Sequence, residues 1–445
     1  MTIRCFCSCA LYELRSLTTH ICAIRPYSPQ ISKLEHNKLI FSKVPTLRFA
    51  EFAEQWEQKT FDETFSILSN NTLSRAELNY ENGNYKNIHY GDVLIKFSAF
   101  IDASSPDVPY INDENSSSKL DNILLQDGDI IIADTAEDFT VGKATEVENV
   151  DEIKVVSGLH TIPCRPKIKF SPRYLGYYVN SPAYHNQLIP FIQGVKVSSI
   201  SKTLIKKTFV SFPSLSEQTK IADFLSCLDK KIEVQNKIIS DLKVLKKELC
   251  NRYFKSVHND MSLGYITLKD ILTERKEYCS KDGTYTHGTL SKEGVSPKTE
   301  RYDRDFLVKN EDKQYKVTHF NDICYNPANL KFGVICRNTY GDLIFSPIYV
   351  TFEIADTIYP AYIELFLTNA NFIGRIRRYE QGTVYERMAV SSEDFLSYET
   401  RIPTYEEQVK FADKIQRIQD KIELETAFLN SLQKQRKYLL NTMFI

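Results

Sequence analysis

Two stretches of the chain carry the same pattern of apolar and polar positions. Residues 213–254 align with residues 403–444 without a gap at an offset of 190, and 14 of the 42 aligned positions are identical. Self-similarity of this length at one fixed offset is the signature of an internal repeat. The sequence is therefore built from two related halves.

Within each copy the apolar positions alternate steps of four and three residues, a spacing that predicts a long amphipathic helix with a supercoiled seam. No Pro or Gly follows the first residue of either copy. At ~1.5 Å per residue each helix would be roughly 60 Å long. The seam residues are Ile221, Leu225, Leu228, Ile232, Ile239, Leu242 and Leu249 in the first copy, and Phe411, Ile415, Ile418, Ile422, Leu429, Leu432 and Leu439 in the second.

Polar residues interrupt the two seams at equivalent positions. Gln235 in the first copy matches Glu425 in the second, and Lys246 matches Arg436. Polar seam residues typically fix helix register at some cost in stability. Replacing one of them with Leu is therefore expected to raise thermal stability or to alter the helix spacing.

Each predicted helix also begins with the same signal. Ser214 is followed three residues later by Glu217, and Thr404 is followed by Glu407. This pattern predicts a capping box, in which the hydroxyl and the carboxylate satisfy unpaired backbone N–H groups in the first turn.

The segments between the helices carry mixed signals that favour an α+β fold. Short β-rich runs such as residues 93–97 and 130–133 alternate with Gly, Asn, Asp and Pro, and helical patterns cover residues 172–188 and 360–376. At an offset of 188, Pro172, Tyr174, Gln193 and Gly194 fall on Pro360, Tyr362, Gln381 and Gly382. The globular segments therefore also correspond, although their sequences differ strongly.

The predicted organisation has five parts. Residues 1–43 form an N-terminal extension without periodicity, which we expect to be poorly ordered. The remaining parts are globule 44–212, central helix 213–262, globule 263–402 and C-terminal helix 403–445. We expect a pseudo-twofold arrangement with the two helices antiparallel. Because duplex DNA has local dyads, such a protein could place one globule on each half of a split site.

Composition limits the possible functions without selecting one. The chain has 445 residues, 42% of them hydrophobic, a net charge of −1 and no run of 18 apolar residues. Residues 44–212 hold 22 acidic against 16 basic side chains. General affinity for nucleic acid therefore cannot be inferred from charge.

Four cysteines, Cys5, Cys7, Cys9 and Cys22, lie near His20 at the start of the chain. A small zinc site is conceivable there, but the spacing differs from that of common zinc ligands. Reduced thiols in a cytoplasmic protein are the expectation, and no metal site is predicted.

No catalytic motif is found along the chain. Residues 326–329, Asn-Pro-Ala-Asn, partly match the Asn-Pro-Pro-aromatic motif of amino-methyltransferases but lack its second Pro and its aromatic residue. Residues 106–107 together with 152–154 fit a nuclease metal pattern only loosely, and the chain has no phosphate-binding Gly-x-x-x-x-Gly-Lys-Ser/Thr loop. The sequence predicts a protein without catalytic residues.

The repeated motif resembles that of the specificity subunits of Type I restriction–modification systems. The resemblance covers residues 44–445 and rests on Pro-x-x-x-Glu-Gln before each long helix, at Pro213 and Pro403. It also includes Pro-Thr-Leu-Arg-Phe from Pro45 with Trp56, and Asp-Ile-x-Tyr-Asn-Pro from Asp322.

This resemblance implies a non-catalytic DNA reader. Each globule would be a target recognition domain for one half of a bipartite sequence in double-stranded DNA, while the helices would set the spacing. The helices would also dock two methyltransferase subunits, with restriction/translocase subunits joining the complex. S-adenosylmethionine, ATP and Mg would be bound by those partners, and no cofactor is expected in this chain.

Side chains that could contact DNA are basic or polar residues near predicted turns. They are Lys143, Arg165, Lys196, Ser198 and Ser199 in the first globule and Lys331, Arg337, Arg375, Arg377, Arg378, Tyr385 and Arg387 in the second. Replacing Arg387 with Ala is expected to weaken binding to one half-site only. The alternative for each is an ordinary solvated charge, and the target sequence cannot be read from the chain because base recognition also depends on DNA shape.

Two other functions remain open at this stage. A coiled-coil adaptor that binds only proteins would agree with the acidic first globule. A fragment of a fused methyltransferase–nuclease would need the cofactor loop that is absent.

Overall fold

A computed structural model describes residues 44–112, 118–150, 153–194, 196–280, 284–292, 294–298, 314–381 and 388–445, together with the backbone of residues 24–26. The chain divides into two compact units, which are described separately. Unit 1 comprises residues 1–234 and 429–445, and unit 2 comprises residues 235–428. The cysteines and the histidine considered for a zinc site lie outside the described residues.

Unit 1 is an α+β unit whose strands form two main sheets. Its strands are β1 Ile24–Pro26, β2 Leu47–Phe49, β3 Glu57–Thr60, β4 Phe65–Ile67, β5 Leu78–Asn79, β6 Lys86–Ile88, β7 Phe100–Asp102, β8 Tyr110–Ile111, β9 Ile130–Ala133, β10 Thr135–Ala136, β11 Ala144–Glu148, β12 Val155–Ser157, β13 Thr161–Pro166, β14 Ser198–Ser199 and β15 Phe209–Phe212. Its helices are α1 Phe61–Thr64, α2 Tyr90–Ile95, α3 Tyr174–Val179, α4 Pro182–Leu188, α5 Lys202–Ile205 and the first part of α6, Leu215–Asn259.

The five-stranded sheet of unit 1 has the order β4-β13-β9-β11-β7, and the four-stranded sheet has the order β12-β6-β8-β5. Strand β9, Ile-Ile-Ile-Ala, is buried on both faces, as expected for a continuous apolar run in a central strand. The main core packs α3, α4 and the start of α6 against Leu432, Leu439 and Phe444 from the end of the chain.

Unit 2 is also an α+β unit. Its strands are β16 Ile266–Thr267, β17 Leu272–Glu274, β18 Tyr278–Cys279, β19 Thr286–Ser291, β20 Gly294–Pro297, β21 Tyr315–Thr318, β22 Ile323–Tyr325, β23 Ile335–Arg337, β24 Leu343–Phe345, β25 Val350–Ile354 and β26 Glu399–Thr400. Its helices are α7 Pro360–Leu367, α8 Ala370–Ile376, α9 Ser392–Leu396 and most of α10, Tyr405–Thr442. The sheets have the orders β17-β25-β22-β23 and β18-β21-β24-β19-β20.

The two long helices are α6, with 45 residues, and α10, with 38 residues. Most of the predicted seam residues are buried, while Ile232, Leu242, Leu249 and Ile418 are half-buried. In unit 2 the side-chain amide of Gln235 donates to the Glu425 carboxylate at 2.5 Å, and Lys246 donates to Gln419 at 2.9 Å. In unit 1 the Arg436 guanidinium donates to Asp229 at 2.5 and 3.1 Å.

The predicted capping box at Ser214 is wrong. Both carboxylate oxygens of Glu217 accept hydrogen bonds from the Arg48 guanidinium at 2.7 Å, so this carboxylate is committed to a distant partner. At the second helix, Glu407 does accept hydrogen bonds from the backbone N–H and the hydroxyl of Thr404, at 3.2 and 3.1 Å. Because an arginine fork binds a carboxylate in bidentate fashion, it outcompetes the single backbone N–H that a capping box would offer.

Two local predictions also differ from the structure. The predicted strand at residues 93–97 is mostly helix α2, because the His89 side chain accepts a hydrogen bond from the backbone N–H of Gly91 and begins a helix there. The predicted helix at residues 360–376 is two helices, because the side chain of Asn369 accepts a hydrogen bond from the N–H of Asn371 and starts a second helix.

Among the described helices, none combines the length and the apolar character that crossing a membrane requires.

Candidate nucleic-acid interface

Two basic residues predicted to contact DNA in unit 1 are engaged within the fold. The Arg165 guanidinium, on β13, donates to both carboxylate oxygens of Asp129 at 2.9 and 2.7 Å and to the Leu124 carbonyl at 3.0 Å. The half-buried Lys143 ammonium donates to the Leu94 carbonyl at 2.9 Å. Burial lowers the pKa of Lys143, with a further contribution from the charge of Arg436. These contacts link strand β13 to the segment before β9, and the residue before β11 to helix α2.

The other three predicted residues of unit 1 lie together on one hairpin-like segment. Ser198 and Ser199 form β14, which pairs antiparallel with β10. Lys196 and Ser199 are exposed, and Ser198 is half-buried. This segment has the exposure that a contact with DNA requires.

A second exposed cluster in unit 1 was not predicted. Asp92 is almost fully buried, and its carboxylate forms ion pairs with Arg75 at 2.8 Å and with Lys96 at 3.7 Å. The Tyr80 hydroxyl accepts from the Lys96 ammonium at 2.8 Å and from Arg75 at 3.2 Å. The ammonium also lies 4.6 Å from the centre of the Tyr80 ring. We call Arg75, Tyr80 and Lys96 the Tyr80 cluster.

The Tyr80 cluster presents its charges to solvent. The side chains of Arg75 and Lys96 are 44% and 43% exposed, and Tyr80 is 50% exposed. The hydrogen bond to Asp92 raises the pKa of Arg75, and the hydrogen bond to Tyr80 raises the pKa of Lys96. Two fixed cations beside an exposed aromatic ring form a surface suited to phosphate oxygens or base edges.

A histidine and tyrosine group adjoins the Tyr80 cluster. The rings of His89 and Tyr90 are 4.6 Å apart, and Tyr90 makes an edge contact with the ring of His160 at 5.3 Å. Burial and then the nearby charge of Arg75 lower the pKa of His89. The Nδ1 atom of His89 accepts a hydrogen bond from the N–H of Gly91, which requires this nitrogen to be unprotonated.

Sequence reasoning had only a weak signal for the Tyr80 cluster. The single local pattern is Asp92 and Lys96, four residues apart on α2. Arg75 and Tyr80 approach these residues only because β5 and α2 lie close in the folded unit. A search of predicted turns with basic residues would not select these three positions together.

In unit 2 the predicted residues fall into two groups. The Arg337 guanidinium donates to Glu364 at 2.9 Å and to Asn321 at 2.8 Å, so it is engaged within the fold. Arg377 and Arg378 are exposed in the turn that follows α8, and Arg375 is half-buried on α8. Tyr385 and Arg387 lie outside the described residues.

Lys331 belongs to the same region of unit 2 as the three arginines. It lies in the turn Leu330–Phe332, with its ammonium 5.5 Å from the Phe332 ring centre. Leu330 packs in one core cluster with Phe372 and Ile376 of α8. The structure therefore brings Lys331 near the exposed arginines, while Arg337 on β23 contacts Glu364 and Asn321.

Comparison with known proteins supplies a family for this arrangement. The model of the Type I restriction modification DNA specificity domain matches residues 53–244. A curated relative from Methanocaldococcus jannaschii, described as a type I restriction enzyme specificity subunit, is 22% identical over 421 residues, which cover 88% of this chain and 93% of the relative.

Solved structures share the fold at low sequence identity. The S subunit of a Type I restriction-modification system from M. genitalium has a TM-score of 0.52 and 14% identity, covering 90% of this chain and 99% of that one. A chain from a study of complex assembly and conformational transition of the type I R-M system has a TM-score of 0.53 and 13% identity, covering 86% and 96%.

Proposed function

We propose that this chain is a specificity subunit of a Type I restriction–modification system, as its matches to that family support, and that each of its two units reads one half of a bipartite DNA target. In this proposal residues 44–212 and 263–402 are the two target recognition domains. In the same proposal the chain has no catalytic role, and the methyl and nucleotide chemistry would belong to partner subunits that bind S-adenosylmethionine, ATP and Mg.

The observation that carries the proposal is a contact found at matching positions in both units. The Gln218 side chain accepts a hydrogen bond from the N–H of Ser171 at 3.0 Å and donates to the Pro213 carbonyl at 2.8 Å. The Gln408 side chain accepts from the N–H of Tyr359 at 2.8 Å and donates to the Pro403 carbonyl at 3.0 Å. Each unit thus attaches its long helix to its globule in the same way, as expected for two readers of one design.

We further propose that the long helices pair in antiparallel fashion and set the distance between the half-sites. The contacts of Gln235 with Glu425 and of Lys246 with Gln419 in unit 2 support this, because the residue number rises along one helix as it falls along the other. The ring of Tyr253 stacks on Phe411 at 3.6 Å and continues the same order. A helix pair of fixed length is a rigid spacer.

The helices also offer matching surfaces for partner subunits. Ile238 and Phe428 occupy equivalent positions of the repeat, and both side chains are exposed, at 39% and 44%. Val234 and Leu424 form a second equivalent pair, with exposures of 51% and 63%. Exposed apolar residues that recur together indicate interaction sites. We propose that Val234 and Ile238 of the first helix contribute to docking one methyltransferase subunit, and that Leu424 and Phe428 of the second helix contribute to docking the other.

For DNA contact we propose the Tyr80 cluster with the segment of Lys196 and Ser199 in unit 1, and Arg377 with Arg378 in unit 2. Arg75 and Lys96 stay 44% and 43% exposed although they contact Asp92, and Lys196, Arg377 and Arg378 are exposed. Arg165 and Arg337 are only 30% and 19% exposed, and both are engaged in internal contacts, as is the half-buried Lys143. Phosphate contacts would position the protein and contacts to base edges would provide specificity.

Mapping N6-methyladenine across the genome of cells with and without this gene tests the proposal. We expect loss of one split motif, two short blocks separated by a fixed gap, when the gene is deleted. An unchanged map in cells that express the partner methyltransferase would contradict it and favour the adaptor function. Retarded mobility of a DNA duplex carrying the motif, with the partner subunits present, gives an independent check.

A further inference from the structure

A basic cavity lies in unit 2, at the junction of the end of α6 with α8 and β26. It has a volume of about 210 Å³ and is walled partly by Phe254, Phe366 and Phe372. This is several times the ~30 Å³ that one water molecule occupies in the liquid. The cavity therefore has room for a small solute with some of its hydration water.

The charged groups of the cavity all have the same sign. Its charged walls are Lys255 from α6, Arg375 from α8 and Arg401 after β26, and none of the described lining residues is Asp or Glu. His258 of α6 also lines the cavity, but burial and the charges of the two arginines lower its pKa, so this ring is neutral near pH 7. Asn369 and Asn371 add amide groups that can donate hydrogen bonds. The cavity is partly open to solvent, since Lys255 and Asn371 are exposed. Three cations without a lining carboxylate favour an anion there, because an anion would compensate the positive charge of the walls.

Arg401 is the most constrained of these cations. It is only 5% exposed, and its buried Nε atom has no hydrogen-bond partner among the described residues. Its guanidinium donates to the His258 carbonyl at 2.9 Å, lies 3.4 Å from the sulfur of Met261 and stacks at 4.3 Å on Tyr265. These partners are neutral. The Asp260 carboxylate also interacts electrostatically with Arg401, but Asp260 is exposed to solvent. A buried guanidinium with neutral partners is costly unless an anion compensates it.

The aligned positions of the repeat carry no charge in unit 1. At the offset of 190, Arg401 falls on Ser211, and at the offset of 188, Arg375 falls on Gln187. In unit 1 the Gln187 side chain bonds to the backbone of Phe209, as acceptor at 2.9 Å and as donor at 3.2 Å. Unit 1 thus makes the same junction with neutral residues. A neutral side chain is therefore compatible with this junction at the positions of Arg375 and Arg401.

We propose that the cavity formed by Lys255, His258, Arg375 and Arg401 is a binding site for a small oxyanion of the phosphate class. The anion would be held by guanidinium and amide donors and would link the end of α6 to α8 and β26. The proposed ligand is a free anion rather than a phosphate of DNA, so this proposal does not depend on the proposed reading of the target.

Titration of the full chain with inorganic phosphate, followed by ³¹P NMR line broadening and isothermal calorimetry, tests the proposal. Ionic strength is held constant with chloride, and no DNA is present. We expect saturable binding at one site by the wild-type protein, and at least tenfold weaker binding by Arg375→Gln and Lys255→Gln. Circular dichroism establishes that both variants are folded.

Lys410→Gln is the matched control, because Lys410 is an exposed cation of unit 2 that does not line the cavity. Its phosphate affinity should equal that of the wild-type protein. No saturable binding by the wild-type protein would overturn the proposal. An equal loss in Lys410→Gln and Arg375→Gln would also overturn it, because general surface charge would then explain the binding.

Discussion

At the scale of single residues, the buried pair of Arg48 and Glu217 gives the clearest prediction. Their side chains are 9% and 1% exposed and share two hydrogen bonds of 2.7 Å. Removing one partner of a buried ion pair leaves an uncompensated charge and typically costs ~3–5 kcal/mol. We therefore expect Arg48→Ala to lower the free energy of unfolding by about this amount, measured by urea denaturation.

The matched control is the exposed pair of Lys154 and Asp121, whose side chains are 51% and 43% exposed. Such surface pairs contribute ~0–1 kcal/mol, so Lys154→Ala should change little. Equal effects of the two substitutions would contradict the structural importance of Arg48.

Glu146 gives a second residue-scale prediction, on pH. Burial raises the pKa of this carboxyl group to about 7, although it accepts hydrogen bonds from the N–H groups of Gly176 and Arg173. The folded protein then binds a proton that the unfolded chain, with a pKa near 4.5, has released. Stability from this group therefore falls as pH rises from about 4.5 to about 7, and stays constant above that.

Comparing the wild-type protein with Glu146→Gln isolates this effect. At 1.36 kcal/mol per pKa unit the difference in unfolding free energy between the two should shift by up to about 3 kcal/mol in favour of the variant across this range. Thermal or urea unfolding at pH 5, 6, 7 and 8 measures it. A constant difference between the two proteins at all four values would show that Glu146 titrates normally.

At the scale of elements, substitutions of Gln235 and Glu425 test why the helix seam contains polar residues. The polar pair either stabilises the helices by its hydrogen bond, or fixes their register at some cost in stability. Breaking a hydrogen bond on one side leaves a partly buried acceptor unpaired and costs ~1–3 kcal/mol, whereas replacing both partners with apolar residues can be neutral or stabilising. Because the structure pairs Gln235 with Glu425, we expect Gln235→Leu alone to lower stability, contrary to the expectation from the seam pattern alone. The double variant with Glu425→Leu should recover or exceed the stability of the wild-type protein in thermal unfolding.

The outcome also decides whether the pair sets helix register. A double variant that is more stable but methylates a motif with a different gap would mean that the polar pair fixes the spacing. A double variant less stable than Gln235→Leu would contradict this account of the seam.

The long helices could be predicted from sequence because their periodicity is local and recurs. The seam residues and the matching polar positions required no tertiary information. Helix α2 could not be predicted in this way, since its start depends on a histidine side chain acting as an N-cap, which is outside the usual preference for Ser, Thr, Asp and Asn. The failed capping box at Ser214 has a non-local cause, the arrival of Arg48 from 169 residues away.

The candidate site was less predictable than the fold. Basic residues near turns were found, but whether a guanidinium faces solvent or a carboxylate depends on strands that meet only in the folded unit. Arg165 and Arg337 illustrate this, because Asp129 and Glu364 bind them from other elements. The Tyr80 cluster illustrates the converse, since Arg75, Tyr80 and Lys96 meet around the buried Asp92.

At the scale of the whole molecule, two units that each read one half-site must be separable by mutation. Arg75→Gln with Lys96→Gln alters unit 1 only, and Arg377→Gln with Arg378→Gln alters unit 2 only. Where a guanidinium contacts a guanine edge, its loss costs ~1–3 kcal/mol of discrimination at that base pair. Where a cation contacts only phosphate, its loss weakens binding to all sequences and reduces the salt dependence by about one counterion per contact. We expect each double variant to relax or weaken one block of the motif and to leave the preference at the other block unchanged.

Methylation mapping of the two double variants, with duplex binding measured from low to high salt, distinguishes these cases. Lys410→Gln serves as a control for loss of one exposed charge remote from the proposed contacts. If either double variant altered both blocks equally, the two units could not be independent readers, and specificity would have to arise from the assembled complex. If the altered block instead follows the mutated unit, each globule carries its own half of the specificity, because a change confined to one folded unit has then changed only one half of the target.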